Sequence, residues 1–240
     1  MRERDVQSSA AMNSEILEVE DLEVSFGSKH VIDHLTFRVN RGECISIIGP
    51  NGSGKTVLFE ALVGSIPARG RITWAPDTRI GYVPQKLDIE RDLPLTGHDL
   101  LAAKRHVVRG ADDIAALVHR VGLDREVEQP IGALSGGQFQ RLLVALALVG
   151  NPDVLLLDEF TAGVDAPGQD RLSELVRRLQ VEDGLTILSI SHELSVVLRS
   201  STNVLCLGHA RAWFGPPRKI LSPETLQAAY GTPLEFHVHD

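Results

Sequence analysis

The chain has 240 residues, of which 43% are hydrophobic and 23% are charged, and its formal net charge is −8. This composition is typical of a globular protein built around one large domain. The negative charge and the absence of a Lys/Arg cluster from the sequence argue against a general nucleic-acid binder. The longest apolar run, residues 142–149, is too short to cross a membrane, since a spanning helix needs ~20 residues. Residues 1–13 lack the apolar core of a signal peptide, so we expect a cytosolic protein.

The first third of the chain predicts a series of short strands and one helix. Apolar and polar residues alternate in the first two segments, whereas the third is a continuous apolar run. Strands are therefore predicted at residues 16–26, 35–39, 44–48, 71–74 and 79–83. Residues 55–63 have the apolar spacing of a helix. Phe26 precedes Gly27 at the end of the first strand, and it is either an aromatic surface for a ligand or an ordinary core residue.

Between the third strand and the helix lies a glycine-rich loop, Gly49-Pro50-Asn51-Gly52-Ser53-Gly54-Lys55-Thr56. It matches the complete G-x-x-x-x-G-K-[ST] pattern of a phosphate loop, in the strand–loop–helix context that such a loop requires. The glycines let successive backbone N–H groups point at phosphate oxygens. Lys55 can then bridge the terminal phosphates, and the Thr56 hydroxyl is suited to Mg²⁺.

The pattern changes to helical after Gln85, which ends the strand at residues 79–83. By its own chemistry Gln85 is an ordinary loop residue whose amide could touch Mg²⁺ or a water molecule. Thr96-Gly97-His98-Asp99 predicts a capping box for a first helix. A second helix is predicted at residues 111–121, and Gly122 is suited to ending it. Because the sequence shows no further strand before Val154, a helical insertion interrupts an α/β domain.

A second glycine-rich turn, Leu134-Ser135-Gly136-Gly137-Gln138, lies within this insertion and also opens a helix. The N-terminus of a helix offers free N–H groups and a favourable dipole, so it binds anions readily. The chain therefore has two elements of the kind that holds phosphate, although only one obvious nucleotide-binding loop.

Residues 154–157 are apolar without alternation, which is typical of a strand covered on both faces in a parallel sheet. Asp158 and Glu159 follow it. Ligands bind beyond the carboxyl ends of such strands, so Asp158 is a candidate for Mg²⁺ and Glu159 for orienting an attacking water molecule. An exposed acidic pair is the alternative.

The remaining elements alternate between helix and strand. The patterns predict a helix at 169–179, a buried strand at 185–190, a hairpin at 204–207 and 210–214 and a last helix at 223–230. His192 follows the buried strand, and alone it is more compatible with an ordinary loop histidine than with a functional one. Cys44 and Cys206 are isolated within apolar runs, which favours buried reduced thiols over a disulfide or a metal pair.

These motifs, in this order, resemble the ATP-binding-cassette (ABC) ATPase family over residues 16–215. The resemblance rests on the phosphate loop, Gln85, the Leu-Ser-Gly-Gly-Gln signature followed by Gln140-Arg141, the Leu-Leu-Leu-Asp-Glu segment, Asp165 and His192. It implies an α/β P-loop NTPase fold with a mixed or parallel sheet core, an N-terminal antiparallel β subdomain and an inserted helical subdomain. It also implies ATP and Mg²⁺ as cofactors.

The resemblance implies a role for each matching residue. ATP would be held by Phe26, Gly49, Pro50, Asn51, Gly52, Ser53, Gly54, Lys55 and Thr56, with Phe26 stacked on adenine. Mg²⁺ would be held by Thr56, Gln85 and Asp158, and catalysis would use Glu159, His192 and Gln85. The signature, Leu134, Ser135, Gly136, Gly137 and Gln138, would act on the γ-phosphate held by a second copy, with Asp165 at the dimer seam. Phe26 stands where Tyr is commoner, and Phe160 replaces the usual proline after the glutamate.

The domain organisation that follows has a disordered tail at residues 1–14 and a single ABC ATPase domain at 15–240. Within that domain, 15–85 and 151–215 are expected to form the catalytic core, 86–150 the helical subdomain with the signature, and 216–240 a C-terminal helix and tail.

A finer resemblance is to the ATP-binding subunits of bacterial zinc and manganese importers. It rests on residues 81–86 and 92–96, on Gly163-Val164-Asp165, on residues 204–209 and on the tail from Tyr230. It implies an ATPase at the cytoplasmic face of the membrane that powers metal import. Its partners would be a second copy bound head to tail, membrane permease subunits and, indirectly, an extracytoplasmic metal-binding protein, with no nucleic acid. The alternatives are another transported substrate, a soluble ABC ATPase without a membrane partner, or a metal-binding regulator that hydrolyses ATP poorly.

The tail itself carries potential metal ligands, Glu235, His237, His239 and Asp240. Histidines two residues apart in an extended segment share a face, so a regulatory Zn²⁺ site is one interpretation and a solvated chain end is the other.

Overall fold

The structure, a computed structural model, describes residues 14–85, 93–108, 113–208 and 211–231. The predicted N-terminal tail up to residue 13, the segment that includes Lys86, and the four potential metal ligands of the C-terminal tail lie outside these residues. The chain divides into two compact units, one formed by Met1–Thr78 with Leu188–Asp240 and the other by Arg79–Ile187.

The described residues contain strands and helices that alternate along the chain. The strands are β1 (Glu15–Phe26), β2 (Lys29–Asn40), β3 (Cys44–Ile48), β4 (Arg69–Trp74), β5 (Ile80–Val83), β6 (Val154–Asp158), β7 (Thr186–Ile190), β8 (Asn203–Leu207) and β9 (Ala212–Gly215). The helices are α1 (Lys55–Leu62), α2 (Gly97–Val108), α3 (Ile114–Val121), α4 (Gly136–Leu148), α5 (Ala166–Val181), α6 (Leu194–Ser200), α7 (Pro217–Ile220) and α8 (Pro223–Tyr230). A short 3-10 turn, Ile131–Ala133, precedes α4.

In the first unit, the two long N-terminal strands and β4 form an antiparallel sheet in the order β2-β1-β4. Val19 of the central strand is opposite Phe37 on one side and Ile72 on the other. Val19 and Phe37 are buried, as the alternating pattern of a half-buried strand requires. This confirms the predicted antiparallel β subdomain.

The same unit also contains β3 and β8, which pair in parallel, and β9, which pairs antiparallel with β8. The hairpin predicted at the end of the sequence is therefore confirmed. Ile48, at the end of β3, packs in an apolar cluster with Cys206 of β8 and with Leu226 of α8. The sequence patterns missed α6 and α7, which are only 7 and 4 residues long and so leave little periodicity to detect.

In the second unit, β5 and β6 pair in parallel, with Val83 opposite Leu157. Residues 154–157 are fully buried, which confirms the expectation of a strand covered on both faces. Because the two strands run in the same direction, Gln85 and Glu159 each follow the carboxyl end of one of them.

Two of the capping residues predicted from the sequence are confirmed in the second unit, although α3 starts at Ile114 and not at the predicted residue 111. Thr96 and Asp99 exchange hydrogen bonds at the start of α2, where the Thr96 N–H donates to Asp99 Oδ2 over 2.9 Å. Gly122 ends α3 with a left-handed φ of 69°. Helix α5 is longer than predicted and starts at Ala166, because Pro167 lies in its first turn, where a missing N–H costs nothing.

No helix within the described ranges is both long enough and apolar enough to cross a membrane. Cys44 and Cys206 are both buried and free, as the sequence predicts. Burial raises the pKa of the Cys44 thiol to about 12 and that of Cys206 to about 11.

These pKa values predict that neither cysteine reacts in the folded protein. At pH 8 both thiols stay almost entirely protonated, and the thiolate is the reactive form. We expect an aromatic disulfide reagent to modify both cysteines at a rate limited by unfolding, and quickly in denaturant. Rapid stoichiometric reaction of the folded chain at pH 8 would show that at least one thiol is accessible.

Candidate functional site

The phosphate loop connects β3 to α1 and closes around its own lysine. Lys55 Nζ donates hydrogen bonds to the backbone oxygens of Gly49 and Pro50, over 2.9 and 3.1 Å. Gly52 and Gly54 have left-handed φ angles of 79° and 93°. A side chain at position 49 would bring its Cβ to 2.2 Å from the Leu207 carbonyl oxygen, so this position accepts only glycine. The backbone therefore takes the curved path that phosphate binding requires.

Ser53 of this loop supplies a test of whether the loop fits a phosphate group. Its side-chain oxygen is buried, and no other group among the described residues hydrogen-bonds to it. A buried hydroxyl without a partner is costly, because it has given up its bonds to water. An anion held in the loop would accept a hydrogen bond from this hydroxyl, so the residues present fit a phosphate.

Two further candidates of the first unit lie outside the loop. Phe26, at the end of β1, is 52% exposed, which excludes the core alternative and leaves its ring available for stacking. His192 lies in an exposed position between β7 and α6. The backbone just before it is anchored, since the Ser191 N–H donates to the Ile47 oxygen over 3.1 Å.

In the second unit, the structure brings Gln85 and Glu159 into direct contact. Gln85 Nε2 donates a hydrogen bond of 2.6 Å to Glu159 Oε2. Glu159 has a left-handed φ of 46°, which is uncommon for a residue with a side chain and indicates local backbone strain. The side-chain carbonyl oxygen of Gln85 takes no part in this hydrogen bond. That oxygen therefore remains a candidate metal ligand.

The residues on either side of Glu159 are both buried. Asp158 ends β6 with 0% exposure, and Phe160 is 8% exposed. Phe160, which takes the place of the usual proline, therefore packs its ring in the interior of this unit. A fully buried carboxylate is stable only beside compensating groups, and hard oxygen ligands of this kind suit Mg²⁺.

The signature opens α4 with a complete capping box. The Ser135 N–H donates to Gln138 Oε1 over 2.8 Å, and the Gln138 N–H donates to Ser135 Oγ over 3.3 Å. Gln138 Nε2 also donates to Glu126 Oε1 over 3.2 Å. The Gln138 side chain is thus committed within its own chain, and the groups that remain available at this helix end are the Ser135 hydroxyl proton and the glycine N–H groups.

A groove of about 430 Å³ lies at this helix end. Its lining includes Ser135, Gly137, Asp165, Arg141 and Arg171. The structure therefore brings the signature and Asp165 together in one groove, whereas their action on a second copy stays a prediction. The two arginines were missed as site residues by the sequence patterns, because a lone arginine on an amphipathic helix carries no distinguishing signal.

The comparisons with known proteins agree with this geometry. The sequence profile of the ABC transporter family matches residues 32–162, more than half of the chain. The chain belongs to the ABC transporter family. Zinc import ATP-binding protein ZnuC of Jannaschia sp. (strain CCS1) is 40% identical over 218 residues, which cover 90% of this chain and 89% of the relative. The ZnuC protein of Pseudomonas putida is 35% identical to this chain, and the aligned residues cover 95% of this chain and 91% of the relative.

Solved structures of ABC transporters share the fold. A chain from an ABC transporter assigned to the metal-chelate type, in an inward-facing conformation, superposes with a TM-score of 0.83 at 26% identity, covering 92% of this chain and 90% of the other. The ADP conformation of an ATP-binding cassette has a TM-score of 0.78 at 23% identity, covering 88% and 96%. The chain is therefore an ABC ATPase. Its fold is of the α/β class and contains an antiparallel sheet and a mixed sheet.

Proposed function

We propose that this ABC ATPase powers the import of a divalent transition metal, zinc before manganese, through membrane permease subunits that it contacts from the cytoplasmic side. The relatives named for zinc import, 35–40% identical over most of their length, support the transported metal. The observation that carries the hydrolytic part of the proposal is the hydrogen bond from Gln85 to Glu159. Residues 15–240 would act as one ABC ATPase domain, with the catalytic core at 15–85 and 151–215 and the helical subdomain at 86–150.

In the first unit, the phosphate loop would hold the triphosphate. Its backbone N–H groups, the Ser53 hydroxyl and Lys55 are the donors, and the exposed Phe26 ring would stack on adenine. Thr56, the second residue of α1, would offer its hydroxyl to Mg²⁺. In the second unit, Gln85 and Asp158 would offer oxygen ligands to Mg²⁺. When bound, Mg²⁺ neutralises charge on the phosphate oxygens.

Glu159 would orient and polarise the attacking water molecule. Its carboxylate, which accepts the hydrogen bond from Gln85, is the candidate acceptor of the water proton. His192 would contact the γ-phosphate and stabilise charge in the transition state. Gln85, which contacts the catalytic carboxylate and precedes the helical subdomain, would link the nucleotide state to movement of that subdomain.

The signature half of the site would act on a second copy of the chain. Ser135 and the glycines at the start of α4 line the groove at that helix end. They would contact the γ-phosphate bound by the partner copy, with Asp165 at the seam between the copies. The proposed working form is therefore a head-to-tail dimer with ATP at both interfaces.

Replacing Glu159 with Gln tests the hydrolytic assignment. We expect ATP binding to persist and a stable ATP-bound dimer to form, because the substitution removes water activation and leaves the shape of the side chain unchanged. Sedimentation velocity with saturating ATP measures the dimer, and phosphate release measures hydrolysis. Normal hydrolysis by a monomeric variant would show that Glu159 is not the catalytic carboxylate.

Replacing Ser135 with Arg tests the action of the signature on a second copy. The long side chain would fill the groove, so we expect loss of hydrolysis while a single subunit still binds a fluorescent ATP analogue. Ser222→Arg is the matched control, since Ser222 also caps a helix, α8, by accepting a hydrogen bond from Thr225 N–H. Full activity of Ser135→Arg would overturn the proposed arrangement.

Metal uptake tests the transported substrate. In cells that lack this chain, we expect the intact gene to restore accumulation of radioactive zinc, and Glu159→Gln to fail although the protein is present. Restored uptake of manganese with no effect on zinc would exclude the zinc assignment, and no effect on either metal would exclude this substrate class.

A further inference from the structure

The groove beside the signature contains two arginines whose surroundings differ. Arg141, on α4, is half-buried, and it donates a hydrogen bond of 2.6 Å to the backbone oxygen of Gly122 at the end of α3. Arg171 lies on α5 and is exposed. Both line the groove that also contains Ser135 and Asp165.

Arg141 is committed to holding the helices of its own unit together. Its guanidinium satisfies the carbonyl of the residue that terminates α3, and Glu126 provides a favourable charge nearby. The pKa of Arg141 is nevertheless lowered, first by burial and also by the positive charge of Arg171. The two guanidinium groups are therefore close enough to repel each other across the groove.

Arg171 has no compensating partner among the described residues. Its guanidinium forms neither a salt bridge nor a side-chain hydrogen bond there, and Asp165, which lines the same groove, is not paired with it. The acid one helical turn along α5, Glu174, is already paired in a bidentate manner with Arg177, over 2.7 and 2.8 Å. Arg171 is thus a free cation beside a second cation, an arrangement that a bound anion would stabilise.

We propose that Arg171 binds the triphosphate of the ATP held by a second copy of this chain, next to the contact made by Ser135. This inference rests on the proposed function, because it is the proposed dimer that brings the partner's nucleotide to the groove. The signature offers neutral donors only, since Gln138 is committed to its capping box and to Glu126. Arg171 adds an exposed charged donor to this face, and a guanidinium matches two phosphate oxygens at once.

The test uses the Glu159→Gln chain, in which ATP is not consumed, and replaces Arg171 with Gln. We expect the ATP-dependent dimer to weaken by about tenfold or more, which corresponds to the loss of one charge-assisted contact. Sedimentation velocity over a range of protein concentrations with saturating ATP measures the dimer. Binding of a fluorescent ATP analogue to dilute monomer should stay unchanged, because the phosphate loop of the same copy is intact.

Two further variants separate binding from structure. Arg171→Lys should recover part of the dimer affinity, since it keeps the charge but loses the planar pair of donors. Arg177→Gln is the matched control on the same helix and should leave the dimer unaffected. The affinity of the parent dimer should fall more steeply with added salt than that of Arg171→Gln, because only the parent keeps this charged contact.

The outcomes distinguish this inference from the function on which it rests. If the Glu159→Gln parent stays monomeric with ATP, the proposed dimer and the role of Arg171 both fail. If the parent dimerises and Arg171→Gln dimerises equally well, the role of Arg171 alone is overturned. A weaker dimer with the salt dependence of the parent would also overturn it, since that result indicates loss of packing and not of a charged contact.

Discussion

The parallel pairing of β5 with β6 is the constraint on which the chemistry of the second unit depends. The register that places Val83 opposite Leu157 makes the two strands end side by side. Gln85 and Glu159, which are far apart in the chain, can then share a hydrogen bond of 2.6 Å. Glu159 has a left-handed backbone conformation, and its neighbours Asp158 and Phe160 are both buried, so the chain is anchored on each side of it. A carboxylate on a free loop would lack this restraint.

The two glycine-rich turns both open a helix, but the polar side chains of each turn have different hydrogen-bond partners. In the phosphate loop, Lys55 donates hydrogen bonds to backbone oxygens of the loop itself, and the buried Ser53 hydroxyl is left for the ligand. The signature instead satisfies its serine and glutamine through a capping box, which makes the start of α4 rigid. Since Arg141 ties this helix to the end of α3, a movement of either helix would be passed to the other.

Several features were predictable because they depend on local physics. The phosphate loop, the capping residues Thr96 and Gly122 and the buried strand before Asp158 are each determined by residues close together in the chain. The burial of both cysteines followed from their apolar neighbours. The same local features left three functional roles ambiguous, those of Phe26, Gln85 and His192, because each role depends on contacts with residues that are distant in the chain. The exposure of Phe26 excludes the core alternative, and Gln85 is bonded to Glu159. The functional roles of Phe26, Gln85 and His192 stay predictions.

The sequence by itself determined the order of the strands and of the helices of eight residues or more, the curvature of the phosphate loop and membership of the ABC family. These follow from hydrophobic period, glycine placement and short motifs, all of which are local. Only the tertiary structure decided which side chains remain available for a ligand. Gln138 proved to be committed, and Arg171 has no partner within the described part of the chain, because hydrogen bonds and ion pairs form between neighbours in space. The sequence pattern does not show whether a polar side chain forms a hydrogen bond or an ion pair with a residue that is distant in the chain.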